Sequence, residues 1–163
     1  QIEPNARARY HARPLPPAAM TANLTPAPRW FALPLLALGV LGFASAWLLL
    51  ALRFDHHLAW LAPLAAADMV LLLAAARYPA GLRRSAWAVG GCAATIAIAN
   101  FGIIAGQVGM DMGMRPWESA LRLGPAYAWE LAHLANTPAD LAWYGLALAV
   151  AAWAGLSARR RAP

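Results

Sequence analysis

The sequence predicts an all-α integral membrane protein: a four-transmembrane-helix bundle with a partly helical outward loop between its third and fourth helices. Composition is the first observation. Of 163 residues, 61% are hydrophobic and only 12% charged, against about 25% charged in an ordinary globular domain. The second is that four apolar stretches approach the ~20 residues needed to cross the hydrocarbon core. The third is that the arginines, which supply all the basic residues, gather at alternate connections between those stretches. A formal charge of +6 arranged in such clusters fits membrane orientation better than a phosphate-binding stripe.

Residues 1–29 precede the first span. The stretch "QIEPNARARYHARPLPPAA" is rich in Pro and Arg and has no apolar period. It lacks the ordered basic, apolar and small-residue regions of a signal peptide. Residues 1–19 are expected not to belong to the natural protein, whose start would be Met20; the alternative is a disordered cytoplasmic leader. A single domain is expected over 30–157, followed by a basic cytoplasmic tail over 158–163.

The four expected spans are 30–52, 58–76, 85–108 and 138–156. The second and fourth are less apolar, because alanine contributes little and each contains an Asp. "RYPAGLRR" at 77–84 reads as a tight turn, which makes spans two and three an antiparallel hairpin. "TPAD" at 137–140 starts the fourth span with Thr137 as N-cap, Pro138 at the first helical position and Asp140 closing a capping box. Trp30, Trp60, Trp87 and Trp143 fall near span ends, where indole prefers the interface.

Arg29 precedes the first span, Arg77, Arg83 and Arg84 separate the second and third, and Arg159, Arg160 and Arg161 follow the fourth. The other connections carry Arg53 alone, then Arg115 and Arg122 among acids. The positive-inside rule therefore predicts cytoplasmic termini and outward loops at 53–57 and 109–137. With an Ala- and Arg-rich, Lys-free composition, the expected location is the inner (plasma) membrane of a bacterium.

Helices in lipid associate through close approach of small residues. Gly102 and Gly106 form such a pair, and Gly42 with Ala46 a weaker one. Asp68, Thr95, Asn100 and Ser45 are polar residues set inside the spans. Counting ~1.5 Å per residue from the cytoplasmic ends puts Asp68 level with Cys92 and Thr95, and Asn100 level with Ser45. Two polar layers are thus expected, Asp68 with Thr95 and Asn100 with Ser45. Asp68 as structural glue is weighed against Asp68 handling a proton or ligand, since an intramembrane charge is costly unless paired, neutral or hydrated.

The outward loop supplies the remaining candidates. A short helix is expected over 116–123, stopped by Gly124, with a second Pro-led helix ending near Asn136. Glu118 and Arg122 are spaced for an i,i+4 pair. Glu130 and His133, at i,i+3, share a helical face. Met110, Met112 and Met114 alternate; in an extended loop they would present three sulfurs on one side. His56 and His57 belong to the other outward connection. Thioether and imidazole ligands suit copper, so Met110, Met112, Met114, His56, His57 and His133 form a candidate copper site. Glu130, His133 and His56 are the candidate catalytic residues for a membrane enzyme acting on a lipid-linked or anionic substrate.

Several classes lack their residues. A lone Cys92 excludes a dithiol mechanism within the chain. There is no Gly-x-Ser-x-Gly elbow and no Walker or dinucleotide fingerprint. The leading expectation is a non-catalytic accessory or scaffold component, in contact with lipid, other membrane proteins or itself and not with nucleic acid.

Overall fold

The computed structural model describes residues 31–56 and 58–157. Among these the chain forms five α-helices and one 3-10 turn, with no strand. The expectations for residues 1–30, including Met20, Arg29 and Trp30, for His57, and for the tail over 158–163 lie outside the described residues.

Helix α1 (Ala32–Phe54) is apolar on all sides, yet its burial is one-sided. Ala32, Leu36, Val40, Ala44, Trp47 and Ala51 form a buried stripe at three- and four-residue spacing, the period that keeps side chains on one helical face. Leu38, Leu41 and Leu49 point away from the protein. The helix ends where Asp55 turns left-handed (φ 53°) and its N–H bonds back to the carbonyl of Ala51. Asp is among the few non-glycine residues that visit this region readily.

The second expected span is shorter than its apolar composition suggested. Leu58 is left-handed (φ 48°), Ala59–Leu61 form a 3-10 turn, and helix α2 covers only Ala62–Ala75. Its 14 residues reach about 21 Å at ~1.5 Å per residue, short of the ~30 Å hydrocarbon core. Pro63 in the first turn has no N–H to extend the ladder backward. At the other end Arg77 adopts φ 54°. Its N–H bonds to Ala74 O at 3.0 Å and that of Tyr78 to Leu73 O at 2.9 Å, the paired bonds of a Schellman stop.

Helix α3 (Leu82–Asp111) has 30 residues and extends beyond both ends of its expected span. α1 and α2 pack against it, as do the two later helices. Helix α4 (Pro116–Ala135) consists of two pieces joined at Gly124, whose φ 70°, ψ 156° is not helical. The segment between α3 and α5 is therefore helical on both sides of Gly124. Helix α5 (Pro138–Leu156) begins on the expected capping box: Asp140 N–H donates to Thr137 Oγ1 at 3.3 Å, and Thr137 N–H to Asp140 Oδ2 at 2.9 Å.

Among the described residues three helices, α1, α3 and α5, are long and apolar enough to cross a membrane. Their mutual packing is tight and glycine-dependent. A Cβ placed on Gly102 or Gly106 would meet the side chain of Leu48 or Leu52 on α1 at 3.0 and 2.9 Å. These glycines are an internal α3–α1 seam. Gly42 has nothing within 4 Å and Ala46 is exposed, so that weaker pair lies on the outer face of α1. Gly155 approaches backbone rather than a side chain: a Cβ there would stand 2.5 Å from Ser85 Cα on α3. Ser85 Oγ donates to Ala152 O at 3.0 Å beside it.

Candidate functional site

One polar cluster ties α3, α4 and α5 together. Asn100 is buried on α3, Tyr144 lies seven residues into α5, and Asn136 is the C-cap of α4. Asn100 Nδ2 donates to Ile96 O of its own helix at 3.0 Å and to Tyr144 Oη at 3.1 Å. Asn136 Nδ2 donates to Ala132 O at 2.8 Å. A carbonyl acceptor on each Nδ2 fixes which way both amides face. Tyr144 Oη is 3.0 Å from Asn136 Oδ1 and 3.3 Å from Asn100 Oδ1. The tyrosine ring packs at 6.4 Å against that of Trp47, which is wholly buried on α1.

This cluster forms part of the wall of a cavity of about 660 Å³ between the same three helices. α3 lines it with Ile96, Ala97 and Phe101, and α5 with Leu141 and Leu148; Trp129 and His133 of α4 complete it. The lining is apolar apart from Asn100, Asn136, Tyr144 and His133. The cavity exists because α4 folds back onto α3. Ser119 and Ala128 are buried, whereas Leu121 and Leu134 on its other side are 85% and 84% exposed.

The expected polar layers form differently. Asn100 is in a layer, but its partner is Tyr144 and not Ser45. Ser45 is exposed on the outer face of α1 and bonds to Leu41 O at 2.7 Å. Thr95 is wholly buried and turns its hydroxyl to Gly91 O at 2.9 Å. Asp68 looks toward α1, where a Cβ on Gly39 would be 3.6 Å from its Oδ2. Axial counting gives height along a helix, but pairing also depends on rotation about its axis. Ser45 is one residue past Ala44 on the buried stripe, enough to turn it outward.

The methionine loop is not extended. Met110 is still helical, Met112 is the C-cap, and Gly113 is left-handed at φ 65°. Gly113 N–H bonds to Met110 O at 3.2 Å and Met114 N–H to Gly109 O at 2.8 Å. "GMDMGM" is thus a Schellman helix stop, which removes the strand alternation that would have aligned three sulfurs. Met110 and Met112 are exposed, and Met114 Sδ lies 3.8 Å from Arg122 Nη1. Glu118 accepts from Arg115 N–H at 3.4 Å, so Glu118 and Arg122 turn to separate partners. Among the described residues no group of three His, Cys, Asp or Glu side chains converges for a metal.

The catalytic candidates separate as well. His133 lines the cavity, with Nδ1 at 3.1 Å from Trp129 O and its ring edge-on to Trp129 at 4.7 Å. Glu130 is exposed and not part of the lining. His56 is held at the end of α1, Nδ1 at 2.9 Å from Phe54 O. Tyr144 and Asn136 are the members of the site that sequence reasoning overlooked. A tyrosine seven residues inside an apolar span needs a partner for its hydroxyl, and that was the available signal.

No family model matches the chain, and neither a curated protein nor a solved structure matches it.

Proposed function

We propose that this is a polytopic protein of the bacterial inner membrane, with four membrane segments, and that it acts as a non-catalytic accessory component by holding an apolar guest in the groove between α3, α4 and α5. The observation that carries the reading is the cavity of about 660 Å³, a volume within the ~300–1,000 Å³ range of small-molecule sites. Three spans are long enough by themselves. The fourth segment is Ala59–Ala75, a shorter apolar helix that a bilayer accommodates by local thinning. Cytoplasmic termini are supported by Arg77, Arg83 and Arg84 between α2 and α3, against Arg53 alone between α1 and α2. Exposed Trp117, Tyr127 and Trp129 on α4 suit a helix lying in the outer interface, so the groove opens toward lipid and not toward bulk water.

The test is retention of a guest. The protein is purified in lipid nanodiscs, and the molecules bound to it are compared with those in empty nanodiscs by mass spectrometry. Wild type is expected to enrich an apolar species, and Ala97→Phe, which fills the groove with a ring, to lose it. Equal lipid content in wild type, Ala97→Phe and empty discs would sink the reading.

A further inference from the structure

We propose that the guest is an amphiphile carrying a hydroxyl group, and that the hydroxyl is recognised by Asn100 and Asn136. This rests on the groove-binding reading and sharpens it. The argument is a count of hydrogens around Tyr144. A tyrosine hydroxyl has one proton, and two amide oxygens lie within its reach, Asn136 Oδ1 at 3.0 Å and Asn100 Oδ1 at 3.3 Å. The shorter contact takes the proton. Asn100 Oδ1 is then left without a donor in a residue only 8% exposed, and a buried acceptor left unmade is costly.

The neighbouring amide has the opposite vacancy. Asn136 Nδ2 spends one N–H on Ala132 O, and its second N–H has no protein acceptor among the described residues. Both amides line the cavity. Beside the exposed His133, whose Nδ1 is turned to Trp129 O, the wall therefore offers one open amide acceptor and one open amide donor in an otherwise apolar groove. A hydroxyl is the smallest group that answers both, because it donates one hydrogen and accepts through its lone pairs. A carbonyl or ether would answer only the N–H. No Lys, Arg, Asp or Glu lines the cavity, so no fixed charge there meets an ionised head group. A neutral lipid alcohol, with its chain along Ile96, Leu141 and Leu148, fits the chemistry of the lining.

The experiment uses the full chain in nanodiscs with three radiolabelled probes of one chain length: 1-hexadecanol, its methyl ether and hexadecane. Binding above empty discs is measured by equilibrium gel filtration. Wild type is expected to prefer the alcohol over the ether by about tenfold, the worth of one good hydrogen bond. In Asn136→Leu the tyrosine proton returns to Asn100, both vacancies close, and the preference falls to near unity while all three probes still bind. In Tyr144→Phe both amide oxygens are free, and the preference is kept or raised.

Equal binding of alcohol and ether by wild type overturns the proposal, as does a preference that survives Asn136→Leu or is lost in Tyr144→Phe. Ala97→Phe separates the two levels. Equal binding of alcohol and ether that Ala97→Phe abolishes overturns the hydroxyl assignment alone. Binding of all probes unchanged by Ala97→Phe overturns the groove itself.

Discussion

Single residues carry opposite demands in this protein, and glycines show it best. At Gly155 a Cβ would stand 2.5 Å from Ser85 Cα and 2.9 Å from Ser85 N, both backbone atoms that cannot rotate away. Gly155→Ala is expected to destabilise by about 1–3 kcal/mol, the range for overpacking, with a matching fall in the thermal midpoint in detergent. Gly42→Ala, with nothing within 4 Å, is expected to leave that midpoint unmoved. Arg77 reverses the case, since a side chain occupies a left-handed C-cap where glycine is at ease. Arg77→Gly should raise stability by about 1 kcal/mol, with topology checked alongside, because the substitution also removes a charge that the proposed topology uses for orientation. Asn100 was legible as a buried polar residue because an amide deep in an apolar run must find a partner. Which partner it finds depends on helix rotation, and that is decided by packing that the local sequence does not contain.

At the scale of elements, the signals that proved readable were those that act within one turn. Thr137 and Asp140 form their box from four consecutive residues, and Gly124 interrupts α4 for a local reason: φ 70° with ψ 156° is open to glycine almost alone. Gly124→Ala is expected to cost about 1–3 kcal/mol and to act locally. Hydrogen exchange should quicken over 125–135 while α1 and α3 keep their protection, and uniform loss across the chain would contradict an independent second piece of α4. The length of α2 was not readable. Apart from Asp68, apolar composition runs through 58–76, whereas the helix is bounded by backbone turns at Leu58 and Arg77 that hydropathy does not register. In "GMDMGM" the alternation that motivated a copper site counts only in a strand, and the chain instead makes a Schellman stop that uses Gly113 for its left-handed φ.

At the scale of the whole molecule, α3 is the hub: every other helix packs on it, and both the glycine seam and the cavity belong to it. The cavity was illegible in the sequence because it needs α4 folded back along α3, an arrangement between elements distant in the chain. The proposed topology has its own test. Cysteines at Asp55 and Met112, both exposed in loops or at a helix end, are expected to react with a membrane-impermeant thiol reagent from the outer side in spheroplasts. Cys92 is buried and supplies the silent background. Reaction only after the membrane is opened would reverse the orientation.

The disparity between α2 and α3 has a consequence for the bilayer itself. The apolar segment Ala59–Ala75, about 27 Å long with its 3-10 turn counted at ~2.0 Å per residue, stands beside a helix of about 45 Å. No single hydrocarbon thickness suits both. With α2 as the proposed fourth membrane segment, lipid would pinch in on the α2 side and climb on the α3 side, and the protein would present a tapered girdle to its surroundings. Such a body would gather where the membrane is already thin or strained, sorted there by mismatch alone and without any receptor.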